Sequence, residues 1–237
     1  PPPTYKTGRS EASIKANALM AQSALLAGGS QETFMLVELA ADDRGSGSKA
    51  KVNMAIVIDK SVSMRGSRLE NAIKAASTAV DRLSDGDSVS VIAFDTKTEV
   101  VAPLTVIGPS TRQSVVSSIR GITLGGDTCI SCGLEEGLVE LKKTSSFGVG
   151  SDGVARMLLL SDGDATSGVR DVSGFRSIAQ RAMNQGVTIT TIGVDVDFNE
   201  NLMAAIALGS NGRHYFVENE LGLARVFEAE AATLTET

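Results

Sequence analysis

The chain has 237 residues, of which 42% are hydrophobic and 21% are charged, a composition typical of a globular protein with a substantial core. Its formal net charge of −6 argues against nucleic acid and anionic membrane surfaces as partners, because both repel an acidic protein. No apolar run reaches the roughly 18 residues that a membrane helix needs. The sequence opens on three prolines and not on a methionine, so we expect a monomeric domain of a larger protein.

Residues 1–49 are predicted to form an N-terminal extension that contains β structure. Residues 34–39 have the apolar composition of a strand. Residues 14–26 have the pattern of a weakly helical or extended stretch. If residues 21–26 are also extended, the Gly28-Gly29 turn between the two segments predicts a hairpin. The alternative is that residues 34–39 add an edge strand to the sheet that follows.

From residue 50 to residue 237, predicted strands and helices alternate, and we interpret this part of the chain as one domain. Strands are predicted at residues 52–58, 88–94, 99–103, 156–160, 187–194 and 213–217. Helices are predicted at residues 68–83, 109–119, 175–185 and 221–234, with one more after the Gly-rich loop 125–128. Such alternation is typical of βαβ units. The prediction is therefore an α/β fold, with a doubly wound, mostly parallel sheet flanked by helices on both faces.

Three short segments carry the candidate metal-ligating side chains: Asp59, Ser61 and Ser63 after the first of these strands, Asp127 and Thr128 before a helix, and Asp162 and Asp164 after strand 156–160. Ligands of open α/β sheets bind at the carboxyl ends of the strands. Hard divalent cations prefer oxygen ligands. We therefore predict that the segments converge on a cation site, the alternative being that the hydroxyl groups cap helices and the aspartates only end strands.

The order of these segments resembles that of a von Willebrand factor type A (vWA) domain over residues 50–235. Residues 59–63 match the D-x-S-x-S motif of that family, and residues 126–128 (Gly-Asp-Thr) and 160–163 (Leu-Ser-Asp-Gly) follow in the same order. The resemblance implies a metal-ion-dependent adhesion site (MIDAS) with the ligands Asp59, Ser61, Ser63, Thr128 and Asp162. It also implies that the hydroxyl groups contact the ion directly, whereas the two aspartates act largely through water.

A dication whose direct ligands are mostly neutral keeps part of its charge and attracts a carboxylate into its open position. We therefore expect a non-enzymatic binding or adhesion module whose protein partner presents an Asp or Glu side chain. Mg²⁺ and Mn²⁺ suit a six-oxygen site that retains water, and Ca²⁺ is the alternative. Side chains around the rim would set specificity: Lys60, Arg65, Asp127, Asp164 and Thr166.

Asp127 departs from the family pattern, which often has glycine at this position. One interpretation is that its carboxylate lies beside the ion, where it would strengthen binding, favour Ca²⁺ or compete with the carboxylate of the partner. The other is that Asp127 is an acid of a solvated loop.

Cys129 and Cys132 form a C-x-x-C at the predicted start of a helix, where the helix dipole lowers the pKa of a thiol. Two cysteines without a second pair or a nearby histidine do not make a zinc site. They either form a disulfide or pack as two small apolar side chains.

The sequences of residues 58–64 and 193–200 most resemble those of bacterial surface or exported proteins. They also resemble those of the inter-α-trypsin-inhibitor heavy chains. We therefore expect an extracytoplasmic location, which a disulfide would also favour. The alternative function is an assembly or regulatory subunit of a chelatase-like ATPase machine. A metal-dependent hydrolase is disfavoured because no general base accompanies the ion, and His214 is interpreted as a structural strand residue.

Overall fold

The computed structural model describes residues 14–20, 33–41, 50–144, 153–194 and 199–217, together with residues 222, 226 and 230. The chain divides into two compact units, Pro1–Lys49 and Ala50–Thr237. Each unit has its own β-sheet.

The N-terminal unit contains a two-stranded antiparallel sheet. Strand β1 (Ile14–Met20) pairs with β2 (Met35–Ala41), with Met20 opposite Met35. Residues 14–20 are thus extended and not helical, and they form the antiparallel partner of β2. Residues 21–26 and the predicted Gly28-Gly29 turn lie outside the described residues. The edge-strand alternative is wrong, because β2 pairs within its own sheet. Apolar and polar residues alternate along residues 14–18, and this period of two is the strand signal that the Gly-Gly pair obscured.

The second unit is built on a six-stranded sheet in which five strands are parallel and one edge strand is antiparallel. Its strands are β3 (Lys51–Asp59), β4 (Ser88–Phe94), β5 (Thr98–Val106), β6 (Gly153–Ser161), β7 (Val187–Val194) and β8 (His214–Val217). They lie in the order β5-β4-β3-β6-β7-β8. Strands β3 and β6 are thus central neighbours, and their carboxyl ends lie side by side.

Among the described residues, five helices with defined bounds cover the two faces of this sheet: α1 (Ser67–Arg82), α2 (Pro109–Arg120), α3 (Ile130–Leu141), α4 (Val172–Asn184) and α5 (Glu200–Gly209). Helices α1 and α2 pack with alternate β3 residues such as Ile56 and Ile58 in one apolar cluster. Helices α3, α4 and α5 pack with Ala55 and Val57 in a second cluster on the other face. The predicted α/β fold is confirmed. Within the described residues, each helix is too short or too polar to span a membrane.

Several elements differ from the predicted ones. Strand β5 is longer than predicted and includes Pro103, which an edge strand tolerates because its outer side needs no N–H donor. Helix α5 begins after Asn199, whose side chain accepts a hydrogen bond from the Leu202 N–H at 3.2 Å. Of the helix predicted at residues 221–234, only residues 222, 226 and 230 are described, and all three are helical.

In β8, the Nδ1 atom of His214 lies 2.9 Å from the Thr191 hydroxyl, and burial lowers the pKa of the imidazole.

Helix α3 approaches the sheet closely because glycines face it. A Cβ atom at Gly133 would lie 2.6 Å from the Phe94 ring and 2.9 Å from Val57. We expect Gly133→Val to lower the free energy of unfolding by about 2–3 kcal/mol through overpacking. The matched control is Val139→Ala on the exposed side of the same helix, which should change it by less than about 0.5 kcal/mol. Urea denaturation measures both, and equal effects of the two substitutions would contradict this packing.

Candidate metal centre

Asp59 is the last residue of β3 and is fully buried at the carboxyl edge of the sheet. Its Oδ1 accepts a hydrogen bond from the Ser61 N–H at 2.8 Å, and its Oδ2 accepts one from the Ser161 hydroxyl at 2.6 Å. Burial raises the pKa of Asp59 to about 6, because desolvation outweighs the hydrogen bonds from Ser161 and Ser61, and the charge of Asp162 adds to the rise. Asp59 is therefore a buried acid whose negative charge is only partly compensated by the protein.

Ser61 and Ser63 place two hydroxyl groups side by side next to Asp59. A single 3-10 turn (Val62–Met64) follows Ser61, and the two Oγ atoms lie 2.9 Å apart. Ser61 is buried, whereas Ser63 is exposed. The pair thus reaches from the buried carboxylate of Asp59 to the surface.

Asp162 follows β6 and lies across from this turn. It is 3% exposed, and its Oδ1 is buried with no hydrogen-bond partner among the described residues. Its Oδ2 lies 3.8 Å from Nη1 of Arg68, which also donates to the Ser63 carbonyl at 2.9 Å. An acceptor left unsatisfied inside a protein is costly unless a ligand completes it.

Thr128 is buried in the loop that precedes α3, and this loop is hydrogen-bonded on both sides. The Val62 N–H donates to the Gly126 carbonyl at 3.0 Å, which fixes this loop to the serine turn. On the other side, the Thr128 N–H donates to the Thr166 hydroxyl at 2.9 Å, and the Thr128 carbonyl accepts from the N–H groups of Thr166 and Ser167. The loop of Thr128 is therefore joined by hydrogen bonds to the serine turn and to residues 166 and 167, which follow the segment of Asp162 and Asp164.

The rim residues are less closely engaged. Lys60 forms an ion pair with Glu99 at 2.8 Å, so part of its charge is already compensated. Arg65, Asp127, Asp164 and Thr166 are exposed. The Asp127 backbone N–H donates to the Thr96 hydroxyl at 2.9 Å, and exposure of its side chain is what both interpretations of this acid require.

The donor set consists of oxygen atoms. Among the described residues, no three or more His, Cys, Asp and Glu side chains form a group that could hold a metal ion. A metal here would depend on two carboxylates and three hydroxyl groups, which suit a hard dication and not a soft one. The unsatisfied Oδ1 of Asp162 and the raised pKa of Asp59 both fit the binding of a cation at this edge.

Two neighbouring residues were missed by sequence reasoning. Ser161 donates to Asp59, and Arg68 contacts both Asp162 and the backbone of Ser63. The position of Ser161 directly before Asp162 is a weak signal, because its side chain points to a residue far away in sequence. For Arg68 the chain offers no signal beyond its place in the first turn of α1.

A disulfide bond joins Cys129 and Cys132 at the start of α3. Cys129 directly follows Thr128 and is buried. A Cβ atom at Gly168 would lie 2.7 Å from Sγ of Cys129, so the disulfide packs against the loop that follows Asp162. It thus adjoins Thr128 and the loop that follows Asp162.

We expect mass spectrometry of protein alkylated under native, non-reducing conditions to show no alkylation and a mass lower than that of the reduced chain by two hydrogen atoms. After reduction in denaturant, the same protein should take up two alkyl groups. Two alkylated thiols without any reduction would contradict the disulfide.

The sequence profile of the von Willebrand factor type A domain matches residues 53–229. The chain belongs to the vWA family. Members of this family are generally non-catalytic modules that bind proteins, and bacterial relatives are among those that match. The uncharacterized protein YfbK of Escherichia coli (strain K12) is 28% identical over 84% of this chain and 34% of its own length. The uncharacterized protein sll0103 of Synechocystis is 30% identical over 71% of this chain and 38% of its own.

Human inter-alpha-trypsin inhibitor heavy chain H1 is also similar, at 25% identity over 68% of this vWA chain and 18% of its own length. The chain thus spans little more than a third, at most, of the length of these three curated relatives.

Solved structures show the same fold. The von Willebrand factor type A protein from Catenulispora acidiphila superposes with a TM-score of 0.76 at 21% identity, over 94% of this chain and 50% of the other. Proximal thread matrix protein 1 from the mussel byssus, with a zinc-occupied MIDAS motif, gives a TM-score of 0.64 at 18% identity, over 78% and 46%. At these identities the likeness extends to the fold alone.

Proposed function

We propose that this vWA domain is a metal-dependent protein-binding module, in which a divalent cation joins the carboxyl edge of the sheet to an acidic side chain of a partner. The hydroxyl groups of Ser61, Ser63 and Thr128 would hold the ion directly, and Asp59 and Asp162 would act largely through water. When bound, the ion supplies a positive centre with an open position. The domain would not be an enzyme.

The observation that carries this proposal is the unsatisfied Oδ1 of Asp162, which is buried at the same edge as Asp59 and the paired hydroxyls of Ser61 and Ser63. Two buried acids close enough to repel each other need a positive charge between them at neutral pH. Arg68 supplies only a distant contact to Asp162. A cation would satisfy both acids at once.

The kind of ion follows from the donor set. Three neutral hydroxyl ligands leave most of the charge of a dication uncompensated, so a site that retains water favours Mg²⁺ or Mn²⁺ over Ca²⁺. The zinc-occupied MIDAS motif belongs to proximal thread matrix protein 1, and it supports the proposal by analogy of fold only. We also propose an extracytoplasmic location, in keeping with the disulfide between Cys129 and Cys132.

Water proton relaxation with Mn²⁺ as the probe tests this function. Mn²⁺ bound to the protein should raise the relaxation rate through the waters that it retains, and acetate, as a minimal partner carboxylate, should lower that rate by replacing a water. Acetamide has the same shape without the charge and should leave the rate unchanged. The Asp59→Ala variant gives the baseline for Mn²⁺ free in solution.

Two outcomes would overturn the proposal. If the wild type gives the same relaxation rate as Asp59→Ala, no ion is held at this edge. If acetate and acetamide act alike on the loaded wild type, the ion has no open position for a carboxylate, and the binding role fails although the metal is present.

A further inference from the structure

We propose that Asp95, in the turn between β4 and β5, is the residue that positions Thr128 for metal binding. Asp95 would not contact the ion. It would hold the loop 125–128 in the geometry that aims Thr128 at the site. This inference rests on the proposed function, because it concerns the same metal centre.

Asp95 binds the backbone on both sides of Thr128. Its carboxylate Oδ2 accepts a hydrogen bond from the Gly126 N–H at 3.0 Å, two residues before Thr128. Its backbone carbonyl accepts one from the Cys129 N–H at 2.9 Å, one residue after it. A single residue therefore fixes the entry and the exit of the segment that carries Thr128.

The turn that carries Asp95 is itself rigid. Asp95 Oδ1 accepts from the Lys97 N–H at 2.8 Å, and the Asp95 N–H donates to the Lys97 carbonyl at 2.9 Å. The next residue, Thr96, accepts a hydrogen bond from the Asp127 N–H at 2.9 Å through its hydroxyl. The backbone N–H groups of Gly126, Asp127 and Cys129, which flank Thr128, are thus all bound by one short turn.

The loop sequence is matched to this contact. A Cβ atom at Gly125 would overlap the carboxylate of Asp95, and one at Gly126 would lie 2.6 Å from the Thr96 hydroxyl. The glycine pair therefore permits the close approach of the two loops. On its other side the loop bonds to the serine turn, since the Gly125 N–H donates to the Lys60 carbonyl at 2.7 Å. The loop that carries Thr128 is therefore held between the turn of Asp95 and the serine turn.

Asp87 offers a matched control at the opposite edge of the sheet. Its carboxylate also accepts hydrogen bonds from two backbone N–H groups, those of Val52 at 3.0 Å and Ser84 at 2.7 Å. Like Asp95, it stands directly next to an end of β4. Asp87 lies at the amino end of β4, whereas Asp95 lies at the carboxyl end. Both carboxylates therefore hold backbone N–H groups in place, and of the two only Asp95 adjoins the candidate site.

The experiment compares Asp95→Ala, Asp95→Asn and Asp87→Ala with the wild type. Mg²⁺ affinity is measured by calorimetry, and amide hydrogen exchange of the segment 125–129 is measured in the metal-free protein by mass spectrometry. Residues that orient metal ligands from behind typically change affinity 10- to 100-fold. We expect Asp95→Ala to weaken Mg²⁺ binding about 10-fold or more and to speed exchange in segment 125–129.

The asparagine variant keeps one carbonyl acceptor, so its affinity should lie between those of Asp95→Ala and the wild type. Asp87→Ala should lower the thermal stability and leave Mg²⁺ affinity within about twofold of the wild type. Unchanged Mg²⁺ affinity in Asp95→Ala would overturn the positioning role, as would an equal loss in Asp87→Ala. If the wild type binds no Mg²⁺, the proposed function fails separately. Exchange in segment 125–129 then decides whether Asp95 holds the loop, and unchanged exchange overturns the inference.

Discussion

Asp59→Asn is expected to make the metal-free protein more stable at pH 7.5 while abolishing stabilisation by Mg²⁺. Burial raises the pKa of Asp59 to about 6 from an ordinary value of 3.8. The folded state therefore holds its proton more tightly than the unfolded state. Between about pH 4 and pH 6 the free energy of unfolding falls as pH rises, and above pH 6 the whole cost of the buried charge is present.

The size of the effect follows from this shift. A change of about two pKa units corresponds to roughly 3 kcal/mol. An asparagine side chain keeps the acceptor for the Ser61 N–H but weakens the interaction with the Ser161 hydroxyl, a loss of about 1 kcal/mol. The net gain in the free energy of unfolding should be about 1–2 kcal/mol at pH 7.5.

Urea denaturation at pH 4.5 and pH 7.5 measures this difference. All other titrating groups are common to the two proteins. The difference in free energy of unfolding between variant and wild type therefore changes with pH only through Asp59. The advantage of the variant should shrink at pH 4.5. Mg²⁺ at 100 times its dissociation constant should add about 2.7 kcal/mol to the wild type alone. A metal-free wild type that is more stable than the variant at pH 7.5 would contradict the claim that the buried charge of Asp59 destabilises the metal-free protein.

Replacing both Ser61 and Ser63 by alanine is expected to weaken Mg²⁺ binding by at least about 100-fold at a smaller cost in stability. These hydroxyl groups are proposed as direct ligands, so their loss removes coordination. The two hydroxyl groups share a hydrogen bond of 2.9 Å, and the buried side chain of Ser61 also hydrogen-bonds to Asp59, so the free energy of unfolding should fall by about 1–2 kcal/mol. Calorimetry and urea denaturation separate the two effects. Ser117→Ala on α2 is the control and should change neither.

A change of metal preference would show direct ligation by Ser63. Because Ser63 is exposed, a cysteine should fit there, and its thiolate favours soft ions over Mg²⁺. Ser63→Cys should therefore lose Mg²⁺ affinity and gain affinity for Cd²⁺, measured without reductant. If Ser63→Cys keeps the Mg²⁺ affinity of the wild type, Ser63 is not a ligand.

The parts of the fold that could be predicted from the sequence are those with a strong local pattern. Strands β4 and β7 lie at the predicted residues, because each is rich in β-branched residues and lies between turn residues. The first strand of the N-terminal pair could be predicted only as part of a weakly helical or extended stretch, because an exposed strand has a weak pattern. Local pattern alone could not decide which part of residues 14–26 pairs with β2.

The candidate site divides in the same way. Its five proposed ligands stand in motifs that can be read along the chain, and the topology explains why their segments meet at one edge. The residues around them depend on contacts across the fold. Ser161 donates to Asp59 over a separation of 102 residues, and Asp95 reaches the loop before Thr128 over 31. Hydrogen bonds of this range leave no periodic signal in a single sequence.

Calorimetric titration of the metal-stripped protein with Mg²⁺, Mn²⁺ and Ca²⁺, beside the Asp59→Ala variant, tests the metal site most directly. We predict that the wild type binds a single ion, that Mg²⁺ and Mn²⁺ bind more tightly than Ca²⁺, and that the variant binds none while remaining folded. A wild type that binds no ion, or a variant that titrates like the wild type, would contradict a metal centre at Asp59.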